Sequence, residues 1–193
     1  MFARARNGFS LIELMVALAV LVILVTVAYP SLQSVTNSNR LTAAANESMA
    51  MLQNARLEAI RNNRRTVACL SANPQAAAPA CSANGATGWI VFLDGDRNGQ
   101  FSAGERLLRV TTMPTGIQLR SSAKFAGLAS FRSDGLARDA AGALLNATVD
   151  MCMPVSQPVQ NVRHVSIGTG SRLSITKAST PQACGTPADN PQT

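Results

Sequence analysis

Glu13 is a lone carboxylate at the head of an apolar run, since Leu14 to Ala28 holds only apolar residues apart from Thr26. A charge at bilayer depth costs about 2.5–3.5 kcal/mol even on lenient insertion scales, so Glu13 reads as functional. It has no local partner in the sequence, and its counter-charge is expected from another molecule. A second chemistry lies in Asp94-Gly95-Asp96-Arg97-Asn98-Gly99, followed by Glu105, which fits the calcium-loop template D-x-[DN]-x-[DN]-G-x₅-E in full. Oxygen ligands at Asp94, Asp96 and Asn98, a glycine for the sharp turn and the distal Glu105 can wrap a hard cation. The flanks read as strands rather than helices, and turn chemistry alone selects the same residues. A metal-free acidic turn is therefore the competing reading.

The four cysteines, Cys69, Cys81, Cys152 and Cys184, all follow the apolar run. An even count in an oxidising compartment favours two disulfides over a metal site, because no C-x-x-C spacing is present. Of the three pairings, loop closure favours Cys69–Cys81 with Cys152–Cys184. Catalytic arrangements do not assemble. His164 is the single histidine, and Ser121-Ser122-Ala123-Lys124 contains S-x-x-K without its companion motifs. No phosphate-cradling glycine loop is present either. The chain reads as a substrate of enzymes rather than an enzyme, with no required cofactor.

The elements that must position these groups begin with a helix. Phe9 to Tyr29 supplies the length of about 20 apolar residues that crosses a hydrocarbon core. Arg4 and Arg6 precede it and no basic residue follows until Arg40, so the N-terminus is expected inside and the rest outside. Pro30 either kinks this helix or ends it. Beyond it, Leu41, Ala45, Met49, Leu52, Ala55 and Ala59 recur at helical steps. The simplest arrangement is one helix from about Ser10 to about Asn63, half in lipid and half against a globular domain.

Gly8-Phe9-Ser10-Leu11-Ile12-Glu13, with Arg4 and Arg6 before it and the apolar helix after it, resembles the class III signal of type IV pilins and type II secretion pseudopilins. A secretory signal would need a small-residue site after its apolar region, and Val27-Ala28-Tyr29-Pro30 is a poor match. The resemblance implies that a prepilin peptidase cuts after Gly8 and N-methylates Phe9. It also implies that Glu13 pairs with the new α-amino group of a neighbouring subunit as the filament assembles. The organisation that follows is a leader over 1–8, a transmembrane and filament-core helix over 9–30, its amphipathic continuation over 31–64 and a periplasmic domain over 65–193. The protein is expected in a bacterial inner membrane, N-terminus cytoplasmic, and then in a filament.

After Arg65 the periodicity shortens. Strands are predicted at Thr66–Leu70, Gly88–Leu93, Glu105–Val110, Ile117–Arg120, Leu128–Phe131, Ala143–Met151, Val162–Ile167 and Arg172–Ile175, giving an α+β fold of a long helix packed on a mostly antiparallel β-sheet domain. Gly88-Trp89-Ile90-Val91-Phe92, Gly104-Glu105-Arg106-Leu107-Leu108-Arg109, Phe131-Arg132-Ser133-Asp134-Gly135 and the stretch from Arg163 to Arg172 resemble the GspH/FimT family of minor pilins and pseudopilins. That family implies a low-copy subunit at or near a filament tip. Some of its members bind DNA through a basic C-terminal hairpin. Here Arg163, His164, Arg172 and Lys177 could form a basic strip, although Gly170-Ser171-Arg172 departs from the family's G-R-x-R-like pattern. The net charge of +7, two of which leave with Arg4 and Arg6, suits phosphate contact or plain solubility.

Overall fold

The computed structural model describes residues 9–181 and 183–190. Helix α1, Leu11–Asn62, takes up 52 residues, about 78 Å at 1.5 Å per residue. It starts at Ser10, whose backbone is extended and whose Oγ accepts the Glu13 N–H at 3.3 Å. It stops at Asn63, which takes the left-handed conformation (φ 49°, ψ 38°) and turns its N–H back to Ala59 and Ile60. Pro30 lies inside the helix and does not end it.

Only the second half of α1 meets the domain. Leu41, Ala44, Ala45, Ser48, Met51, Leu52, Ala55 and Ala59 are buried, and Met49 is half-buried. The buried stripe therefore runs through Ser48 and Met51 rather than Met49. Ser48 is tolerated there because Trp89 Nε1 donates to its Oγ at 3.1 Å.

Nine strands follow: β1 (Thr66–Ser71), β2 (Gly88–Leu93), β3 (Arg106–Thr112), β4 (Gln118–Ser121), β5 (Leu128–Phe131), β6 (Ala137–Arg138), β7 (Ala147–Cys152), β8 (Val162–Ile167) and β9 (Leu173–Ala178). They form two antiparallel sheets, ordered β3-β2-β1-β5-β6 and β4-β7-β8-β9. Both lay an apolar face on α1, through residues such as Trp89, Phe131, Val149 and Val165. The first sheet also buries its far face. Val67, Cys69, Ile90, Phe92 and Leu128 form a second cluster there, with Cys81 and Phe101 packed on it. This is why β1, β2 and β5 are buried at every position.

The segment Ala143–Asn146 is not part of β7; Leu144 instead makes an isolated bridge to Arg138. The two-residue β6 was not visible as a pattern. It is fixed by Ser171, whose Oγ accepts the Ala137 N–H while its own carbonyl accepts Arg56 from α1. Gly135 (φ +74°) lets this corner approach the helix, since a Cβ there would lie 3.0 Å from Ile60 Cδ1.

Candidate functional site

The first half of α1 stands clear of the globular domain among the described residues. Residues 11–26 are exposed throughout, Phe9 is 81% and Leu11 77% exposed, and the segment is long and apolar enough to cross a membrane. Phe9, Ile12, Val16 and Ala17 fall at helical spacing around Glu13 and line one groove with it. The Glu13 carboxylate makes neither an ion pair nor a hydrogen bond among the described residues. Gly8 lies outside the described residues.

The acidic loop joins β2 to β3, next to the end of α1. Asp94 is 3% exposed; its Oδ2 accepts the Gly99 N–H at 3.2 Å and lies 3.1 Å from Arg65 Nε. That N–H points off the line, so the Arg65 contact is ionic rather than hydrogen-bonded. Burial pushes the Asp94 carboxyl above its ordinary range, against the pull of Arg65 and Gly99. Asp96 accepts the Asn98 N–H and side-chain amide together with Ser102 Oγ, which hold its carboxyl below the usual range. Glu105 gathers the loop, its Oε1 accepting Gly95 N–H at 2.6 Å and its Oε2 accepting Ser102 N–H at 3.0 Å. The loop thus brings together all four residues singled out from the sequence. Asp94, Asp96 and Glu105 each place an oxygen within 4.8 Å of the others.

The disulfides pair Cys69 with Cys81 and Cys152 with Cys184. The first staples the loop after β1 over the second apolar cluster, and the second ties the C-terminal tail to β7.

The basic strip expected of the C-terminal hairpin does not form, and Arg163 is the reason. It is 1% exposed and faces α1, where Nη2 donates to Ser38 Oγ at 3.0 Å and Nη1 to the Gln160 and Val162 carbonyls. A side chain held inside in this way cannot meet a phosphate. His164 points to the opposite face, with Nδ1 2.5 Å from Asp150 Oδ1. Arg172 and Lys177 are exposed but stand five strand positions apart, roughly 16 Å. The signal for the buried arginine was Ser38 and Thr42, one turn apart on α1 and both hydrogen-bonding it.

Sequence reasoning also missed a basic groove of about 560 Å³, lined by Arg64, Arg65, Arg97 and Arg132 with Asp94 and Asp139. Its members come from the turn after α1, the acidic loop, the β5–β6 turn and the turn after β6. They are dispersed along the chain, so no local motif marks them.

Comparison with known proteins bears on most of the chain. The family model described as "Type II transport protein GspH" matches residues 44–171, and the "Prokaryotic N-terminal methylation motif" matches residues 3–29. No curated protein matches the chain. Among solved structures, the type IV minor pilin FimU of Pseudomonas aeruginosa (strain PAO1) is similar in two crystal forms. One is 18% identical with a TM-score of 0.51, covering 73% of this chain and 99% of that one. The other is 20% identical with a TM-score of 0.52, covering 76% and 98%. At that identity the likeness speaks for the fold: one long helix on antiparallel sheets. With a GspH match over more than half its length, an N-methylation motif at its head and a type IV pilin fold, the chain belongs to the GspH family of minor pilins and pseudopilins.

Proposed function

We propose that this protein is an inner-membrane prepilin, with its C-terminal domain in the periplasm. It is cut after Gly8, N-methylated at Phe9 and built into a type IV pilus or a type II secretion pseudopilus as a priming or capping subunit. The supporting observation is the state of Glu13, a carboxylate without a partner among the described residues, lined by apolar side chains on a helix half that no described residue covers. Two costs are relieved in one step if this half packs among other subunits. The apolar surface leaves lipid for a protein core, and Glu13 gains the α-amino group created by cleavage. Leaving either charge unpaired in such a core costs several kcal/mol, roughly 3–5 where one partner of a buried pair is removed, so the pair sets the register of the incoming subunit.

Replacing Glu13 with Ala is expected to leave membrane insertion intact and abolish incorporation. Co-purification of that variant with filament components at the wild-type level would sink the proposal. Counting surface pili and assaying exoprotein secretion in one deletion strain assigns the system: lost pili with normal secretion means the pilus, and the converse means the pseudopilus.

A second reading, DNA binding during transformation, loses the strip on which it rested but has the arginine groove of Arg64, Arg97 and Arg132 as a phosphate surface. Its test is a salt titration of DNA binding, since phosphate contacts weaken steeply with salt. Affinity that is flat with salt, or unchanged in Arg64→Ala with Arg132→Ala, excludes it.

A further inference from the structure

We propose that the β2–β3 loop is a calcium site, with Asp94, Asp96, Asn98, Ser102 and Glu105 as its side-chain ligands. The inference is independent of how the protein assembles. It starts from an orphan. Asp94 is 3% exposed, its Oδ2 is taken by Arg65 and Gly99, and its Oδ1 has no hydrogen-bond partner at all. A buried carboxylate oxygen without a donor is costly, and native structures leave few such atoms unexplained. One oxygen from each of Asp94, Asp96 and Glu105 lies within 4.8 Å of the others. A divalent cation removes the orphan and the crowding together.

The ligand order supports calcium over other cations. Counting Asp94 as the first position, Asp96, Asn98, Ser102 and Glu105 stand at the third, fifth, ninth and twelfth, and the Gln100 carbonyl at the seventh. These are the positions from which a twelve-residue calcium loop draws its oxygens. Gly99 stands at the sixth with φ +75°, as the sharp turn of such a loop requires. All the ligands are hard oxygens. Asp94 keeps Arg65 as its ion pair, which leaves an excess of two negative charges for the ion to balance. Arg64 reaches over Gly95 but pairs with none of the three carboxylates. One rearrangement is required. Asn98 now turns its Nδ2 toward Asp96 and Ser102 while its Oδ1 accepts Gln100 N–H, so ligation needs its amide to rotate. Strand flanks take the place of helices here, which places the site in the weak class of extracellular modules, with Kd on the order of 10⁻⁴–10⁻³ M.

The experiment is thermal unfolding of the full chain in detergent micelles after chelation, titrated with calcium chloride or magnesium chloride, for wild type and Asp96→Asn. Asp96→Asn keeps a carbonyl oxygen for the Asn98 N–H and turns an amide NH₂ toward Ser102 Oγ, which can accept from it. Its Tm in chelator is expected to match wild type. Calcium at ten times Kd is expected to raise the wild-type Tm by about 3–5 °C, and the shift is expected to vanish in Asp96→Asn. Should that variant unfold, Asn98→Ala leaves every carboxylate in place and is expected to show a smaller calcium shift than wild type. An unshifted wild type at about 10 mM calcium overturns the proposal, as does an equal shift in the variant that folds, or an equal response to magnesium.

Discussion

Two charged residues, Glu13 on the first half of α1 and Arg163 on β8 against its second half, show how surroundings decide a role. Among the described residues Glu13 faces apolar neighbours and lacks a partner, whereas Arg163 is buried against α1 and surrounded by neutral oxygens. Burial draws the Arg163 guanidinium below its usual basicity, but it stays charged because the shift starts from so high a value. Its work is to hold β8 against the helix. Arg163→Ala would leave Ser38 and two carbonyls short of donors and open a cavity. A loss of about 2–4 kcal/mol is expected in chemical unfolding. Arg163→Met, which keeps the packing, should lose less. Equal stability of Arg163→Ala and wild type would contradict this role.

At the scale of elements, two pieces of irregular chain are held by covalent bonds. The Cys69–Cys81 bond closes 12 residues and lies under the loop that covers the second apolar cluster, and the Cys152–Cys184 bond closes 32. From loop closure alone, their removal costs about 3 and about 4 kcal/mol respectively. The consequences should differ in kind. A Cys69→Ser and Cys81→Ser pair exposes Val67, Ile90 and Phe92 and should raise binding of an apolar dye. A Cys152→Ser and Cys184→Ser pair frees a polar tail and should lower Tm without that signal. Limited proteolysis would confirm which segment is released in each.

At the scale of the whole molecule, pH acts on the attachment of the C-terminal tail. Lys124 N–H donates to Asp189 Oδ1 at 2.8 Å and holds that carboxyl below its ordinary value of 3.8. The Leu136 N–H does the same for Asp134, helped by Arg138. Depressed carboxyls stabilise the fold fully above the unfolded value, and that stability is lost as pH falls through the folded one. Asp150 is opposite in sign: burial raises it, beside His164, so its contribution is lost as pH rises through its raised value. Asp189→Ala should therefore lower Tm at neutral pH, converge on wild type in acid, and so flatten the fall in Tm below about pH 4. An unchanged acid limb would mean that the tail contact carries no linkage.

The sequence by itself determined the long helix, its two halves and its ends. Those follow from local physics: an uninterrupted apolar run, a Ser10 cap, an Asn63 stop and the three- and four-residue rhythm between them. It determined the acidic loop for the same reason, since that loop is contiguous and each residue's task follows from its place in a turn. Most strands were legible from residue type, and the disulfides from loop closure. What only the tertiary structure decided is everything that depends on contacts distant in sequence. The division into two sheets, the two-residue β6 made by Ser171, and the arginine groove are of this kind. The inward turn of Arg163 is another, because a strand pattern says that neighbours alternate in facing but not which face α1 will cover. Pro30 could equally have ended the helix by local rules; the intact ladder on either side of it places it within one continuous rod.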